Sequence, residues 1–166
     1  MTATITEGRW VAALREMTKQ AAGGEKADIV WGKALGPKPR FFLVGDQPVA
    51  KDYIVGSPFS GQLNGILTSA MQTLGEKYGA KPEDCYITYV LKTNFKEGQL
   101  SEQHVFDNWL HILQVEYQLS GCTDVVALGR MARTLAGHIS VRPAVMGALG
   151  PSILRRFKRA WEAFRG

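Results

Sequence analysis

The stretch FFLVGDQPVAKDYIVGSPFSGQLNGIL, Phe41 to Leu67, decides how the chain folds. Its opening residues are apolar without alternation, the pattern of a short strand covered on both faces, here Arg40 to Gly45. The run stops at Asp46 and Gln47, and Pro48 breaks the chain. The segment Gly56-Ser57-Pro58-Phe59-Ser60-Gly61 follows, and then apolar residues at Ile66, Ala70, Met71 and Leu74 set out a helix over Gln62 to Tyr78. A strand therefore ends on an acid and an amide, with a proline-presented aromatic in the loop beyond.

The same alternation extends in both directions. CYITYVL, Cys85 to Leu91, is β-branched and aromatic and reads as a second strand; TDVVALG, Thr123 to Gly129, reads as a third. HISVRPAV, from His138, reads as a fourth strand or an extended loop. Trp10, Leu14 and Met17 recur at helical spacing over about 5 to 22. Ser101 is placed to cap a helix to about Leu119, Gly129 opens another to Gly137, and Pro151-Ser152 begins a terminal one. GKALGPKP, 32 to 39, reads as a loop. Continuous apolar strands alternating with helices predict an α/β fold, a three-layer αβα arrangement around a short, mainly parallel sheet of about four strands. A single domain over residues 1–166 is expected. Ligands of such sheets bind beyond the carboxyl ends of the strands, where Asp46, Lys92 and Gly129 fall.

Composition narrows the class. Hydrophobic residues make up 45% and charged residues 21%, and no apolar run reaches the length of a membrane span. The first residues lack the basic-then-apolar order of a secretory signal. Cys85 and Cys122 lie far apart without CxxC spacing, which argues against a structural zinc or a cluster and fits a reducing cytoplasm. The net charge is +5, with Arg155, Arg156, Lys158, Arg159 and Arg165 crowded near the end. On charge alone that face is equally a solvated helix and a side turned to a polyanion.

Gly45-Asp46-Gln47-Pro48 followed by Gly56-x-Pro58-Phe59-x-Gly61 resembles the first motif of the uracil-DNA glycosylase superfamily, closest to the bacterial family 4 type. CYITYVLKTNF is similar to the family's second-motif strand. VVALGRMARTLAG is similar to its Leu-Gly-x-x-Ala segment, and LGPSILRRFKRAWEAF to its closing His-Pro-Ser-x-Leu-Arg helix. The resemblance covers most of the chain from Phe41 onward. It implies a DNA glycosylase-like enzyme that hydrolyses the N-glycosidic bond of uracil or a related damaged base.

Chemistry independent of the resemblance suits these residue types. An N-glycosidic bond breaks through a sugar with oxocarbenium character, and a carboxylate beside it stabilises that cation and orients water. Asp46 is the candidate catalytic residue; by itself, Asp-Gln-Pro after a strand is more often a turn. Gln47 carries the donor and acceptor that read an amide-like base edge. Phe59, stiffened by Pro58, is placed to stack on an extruded base, where a lone Pro-Phe would read as a loop anchor. Tyr89 and Asn94 complete the expected base-binding set. Ser60, Gly61, Lys92, Arg142, Ser152 and Arg155 are the expected DNA contacts.

Three departures from the family pattern stand out. Family 4 members often carry an iron–sulfur cluster on four cysteines, and two cysteines imply no cofactor here. The motif-two asparagine aligns with Tyr89, which either closes the pocket or reshapes it for another base. Asn94 replaces it only if its loop folds back. The closing histidine aligns with Gly150; in an alternative alignment Arg142-Pro143-Ala144 occupies that motif. His104 reads as a surface or packing histidine. A monomeric, cytoplasmic, DNA-directed protein without a membrane segment is expected. The alternatives are a catalytically impaired glycosylase fold that binds nucleic acid or a partner protein, and an enzyme of free nucleotides.

Overall fold

The computed structural model describes residues 5–95 and 108–140, with side chains from Val11 onward in the first helix. Helix α1, Ile5–Ala22, leads to a two-residue strand β1, Lys33–Ala34, and then to β2, Phe41–Gly45. Helices α2, Ala50–Val55, and α3, Asn64–Tyr78, precede β3, Cys85–Tyr89. Helix α4, Leu110–Ser120, strand β4, Asp124–Ala127, and helix α5, Arg130–Ile139, complete the described elements.

β2 is central because every one of its five residues is buried. It pairs in parallel with β3 on one side and β4 on the other, in the sheet order β1-β3-β2-β4. Alternation along β2 divides the core. Phe42 and Val44 join Met17, Trp109, Ile112, Leu113 and Leu135 under α1, α4 and α5. Phe41 and Leu43 join Phe59, Leu67, Leu74 and Tyr89 under α3. Helices therefore cover both faces, as the unbroken apolar runs require. Phe42 is packed from two directions, stacked on Tyr86 at 5.3 Å and edge-on to Tyr117 at 5.2 Å.

The three-layer αβα architecture with a mainly parallel four-stranded sheet is the one expected, but the identity of the fourth strand is not. Residues 32–39 read as a loop, yet Lys33–Ala34 pairs antiparallel with Tyr86 and Ile87. The Leu35 N–H also donates to the Cys85 carbonyl at 2.9 Å. The free edge of β3 needs backbone partners, and a strand this short supplies them without exposing a long edge of its own. His138 and Ile139, expected to open a fourth strand, instead end α5. The segment from Val141 onward, the Ser101 cap, His104 and the basic terminal helix lie outside the described residues.

Register brings the strand ends together. Gly45 pairs with Tyr89 and Val44 with Ala127, so all three parallel strands stop at one level. Asp46 follows β2 there, and α5 begins there.

A candidate active site at the carboxyl edge of the sheet

Asp46 leaves β2 half-buried, its backbone carbonyl accepting the Leu91 N–H at 2.9 Å. Its side chain crosses the sheet edge to α5, where Oδ1 accepts the Ala132 N–H at 2.9 Å. Ala132 lies in the first turn of that helix, whose amides have no carbonyl partners of their own. The positive end of the helix macrodipole faces this side chain. Gly129, the N-cap, must lack a side chain: a β-carbon there would overlap the Asp46 carboxylate. Among the described residues no hydrogen bond engages Oδ2. The acid is thus anchored by one oxygen and carries a second that no described residue engages.

Gln47 and Asn94 do converge. The loop after β3 folds back, so that the Asn94 side-chain amide donates to the Pro48 carbonyl at 2.8 Å. Gln47 Oε1 accepts the Phe95 N–H at 3.1 Å. Tyr53 of α2 staples the same loop: its hydroxyl accepts the Asn94 N–H at 2.8 Å and lies 3.2 Å from Thr93 Oγ1. Asn94 remains exposed, whereas the Gln47 acceptor is already engaged.

Phe59 and Tyr89 are packed on each other, ring centroids 4.9 Å apart at 43°. Beneath them Gly45 leaves the room they need, since a β-carbon there would sit 2.9 Å from Phe59 Cζ. The organising residue of this corner is one that sequence reading passed over. Asp52 of α2 is wholly buried, and its carboxylate accepts the Tyr89 hydroxyl at 2.7 Å, the Ser60 N–H at 2.8 Å and the Val49 N–H at 3.0 Å. Burial, then the hydrogen bond to Asp52, pushes the Tyr89 phenol above the ordinary tyrosine range, so it stays a donor. The Ser60 N–H, expected to meet phosphate, is spent on Asp52. Gly61 packs against the Lys51 side chain.

Lys92 departs from its expected role at the phosphate. It is 1% exposed, and its ammonium pairs with Glu116 of α4 at 2.7 Å while donating to the Tyr89 carbonyl. Burial pulls its pKa below the usual lysine value, against the attraction of Glu116. Glu116 also accepts Tyr86 Oη at 2.8 Å and Thr88 Oγ1 at 2.9 Å. A cavity of about 230 Å³ opens beside this carboxylate, lined also by Leu14, Arg15, Trp31, Tyr86 and Leu119. It lies on the α1–α4 face of the sheet, away from Phe59 and Tyr89, and its polar floor is already satisfied. Arg142, Ser152 and Arg155 lie outside the described residues.

The family model of the Uracil DNA glycosylase superfamily matches residues 33–165. The chain belongs to that superfamily. No curated protein sequence matches it. Within this glycosylase-like fold an iron–sulfur cluster does not fit the donor set, because a cluster takes four cysteine thiolates and the chain has two thiols, both buried. Burial, with Asp84 and Cys122 close by, pushes the Cys85 thiol up to about 11, away from the thiolate form a metal requires. Among the described residues no three His, Cys, Asp or Glu side chains are grouped to hold a metal, and no helix is long and apolar enough to cross a membrane.

Two substitutions test this construction. Gly129→Ala is expected to destabilise the protein by about 1–3 kcal/mol, read from urea unfolding, by forcing the carboxylate off α5; an unchanged midpoint would contradict the close approach. Glu116→Ala, which leaves the buried Lys92 ammonium unpaired, is expected to cost about 3–5 kcal/mol in the same assay. A loss below about 1 kcal/mol, the range of an exposed ion pair, would contradict the burial of that pair.

Proposed function

We propose that the protein is a DNA glycosylase that removes uracil or a related deaminated or damaged base by hydrolysis, with Asp46 as its catalytic carboxylate. The observation that carries this reading is the anchoring of Asp46. Across the carboxyl edge of a superfamily scaffold, one carboxylate oxygen is fixed on the first turn of α5 and the other has no hydrogen bond among the described residues. A rigidly held carboxylate at that edge suits a reaction whose transition state is a sugar cation.

In the proposed reaction the C1′–N bond of the target nucleotide breaks and the base leaves with the bonding electron pair. The carboxylate stabilises the positive charge that develops on the sugar. Water, held by the free oxygen, adds to C1′ and gives up its proton, which is taken up by the carboxylate and passed to solvent. The base anion is reprotonated in turn. Phe59 supplies the stacking plane for the base, and Gln47, Asn94 and Tyr89 line its edge. The tie between Asn94 and Pro48 supports that grouping. The DNA backbone would be met by Gly61, and by Arg142, Ser152 and Arg155, since the Ser60 N–H is taken by Asp52. The family 4 likeness, a single-domain monomer and a cytoplasmic site of action belong to the same reading.

One observation favours the second reading, a glycosylase fold that binds nucleic acid without excising a base. Phe59 and Tyr89 together expose almost no ring surface, 2% and 0%. The two readings part in one assay: base release from single- and double-stranded oligonucleotides carrying uracil, hypoxanthine or xanthine. The glycosylase reading expects release from at least one of them, and Asp46→Ala is expected to lower it about 10²–10⁴-fold, the span of a positioned general base. Salt-dependent binding without release from any of them would favour the second reading. Unchanged turnover in Asp46→Ala would remove Asp46 from its role.

A further inference from the structure

The two rings proposed to receive a base are closed on each other. A base stacked on Phe59 needs a free face of that ring, and the Tyr89 ring stands against it with centroids 4.9 Å apart. Neither ring presents a face to solvent.

Packing alone does not hold them. The Tyr89 hydroxyl donates to Asp52 at 2.7 Å and accepts the Phe59 N–H at 2.9 Å. Phe59 is the only non-glycine among the described residues with a positive φ, at 58°, a conformation costly for an aromatic side chain. It persists because three side chains hold its backbone. Tyr89 takes its N–H, Asn64 Nδ2 donates to its carbonyl at 3.1 Å, and Asp52 takes the next N–H, that of Ser60.

We propose that Tyr89 is the gate of the base site, a positioning residue whose hydroxyl, clasped between Asp52 and the Phe59 amide, keeps the site shut until a nucleobase displaces it. The proposal rests on the base-excision reading. The backbone of Tyr89 is fixed: it pairs with Gly45 in the sheet, and the buried Lys92–Glu116 pair holds its carbonyl. The floor is closed by β2. Two movements remain, a swing of the Tyr89 side chain or a lift of the Phe59 loop, and both break the Phe59 N–H to Tyr89 hydroxyl bond. That bond is therefore the latch whichever part moves. Where the loop lifts, the backbone strain at Phe59 can relax, which lowers the work of unlatching by that route.

Tyr89→Phe keeps the ring and removes the latch. Tyr86→Phe is its control, because it removes a partly buried tyrosine hydroxyl from a carboxylate on the other face of the sheet. Hydrogen exchange of the Phe59 and Ser60 amides is expected to quicken about tenfold in Tyr89→Phe relative to the Leu43 amide, as loss of a bond to a charge-linked hydroxyl implies. Uracil release from a single-stranded deoxyuridine oligonucleotide is expected to rise severalfold in Tyr89→Phe and not in Tyr86→Phe. A merely structural tyrosine would lower release in both. Asp52→Asn weakens the same clasp from its other end and is expected to give the same gain, so the test survives if Tyr89→Phe does not fold. Unaltered exchange at Phe59, or release unchanged or reduced in the folded clasp variant, overturns the gate. If the wild-type protein releases no base, a gain of release in either clasp variant supports the gate and shows a shut glycosylase. If no variant releases any base, the base-excision reading falls, and exchange that is also unaltered removes the gate independently.

Discussion

The hydrogen bond from the Ala132 N–H to Asp46 Oδ1 ties the first strand of the parallel sheet to the last described helix. It satisfies an amide that α5 cannot satisfy internally, and it fixes the one acid that the strand ends bring to the carboxyl edge. Its geometry dictates Gly129, because the approach leaves no room for a side chain. It also explains why β2 must be central: only a strand flanked by β3 and β4 delivers its end beside both the Leu91 turn and the α5 terminus.

Two buried carboxylates do the same work on opposite faces of β3. Thr88 and Tyr86 turn to Glu116, which with Lys92 binds α4 to the sheet. Tyr89 turns the other way to Asp52, which gathers α2 and the Phe59 loop. Strand alternation thus sends consecutive hydroxyls to separate anchors. Each anchor is saturated by donors, the condition under which a buried carboxylate is tolerated. Lys92 links the two systems by donating to the Tyr89 carbonyl. The backbone of the site is accordingly held by its sheet floor, and the loop from Gly56 to Gly61 is held to it by side chains.

Much of the fold was legible because β2 carries its own signature: four apolar residues without alternation, ended by Asp46 and Pro48. The helix opened by Gly129 was legible for the same reason. The edge strand was not, since two residues are too short for any periodicity and Lys33–Ala34 pairs only because β3 has a free edge. Asp46 and Phe59 stood out through the resemblance of their motif, whereas the return of Asn94 to Pro48 was only a condition that the loop had to meet. Asp52 escaped notice because an acid in the first turn of a helix ordinarily faces water, and its three donors come from distant positions. Lys92 was assigned to phosphate for a similar reason. A lysine after a strand reads as exposed until its partner, on a different helix, is placed beside it.

The account stands on one geometric claim, that the Asp46 carboxylate faces the anomeric carbon of a nucleotide drawn to the sheet edge. The crystal structure of the Asp46→Asn protein with a single-stranded oligonucleotide carrying deoxyuridine tests it most directly. The account predicts the C1′ atom of that nucleotide within one water of residue 46, its base against Phe59, and the Tyr89 hydroxyl parted from the Phe59 amide. A nucleotide bound away from residue 46, with the Phe59–Tyr89 contact intact, would contradict it.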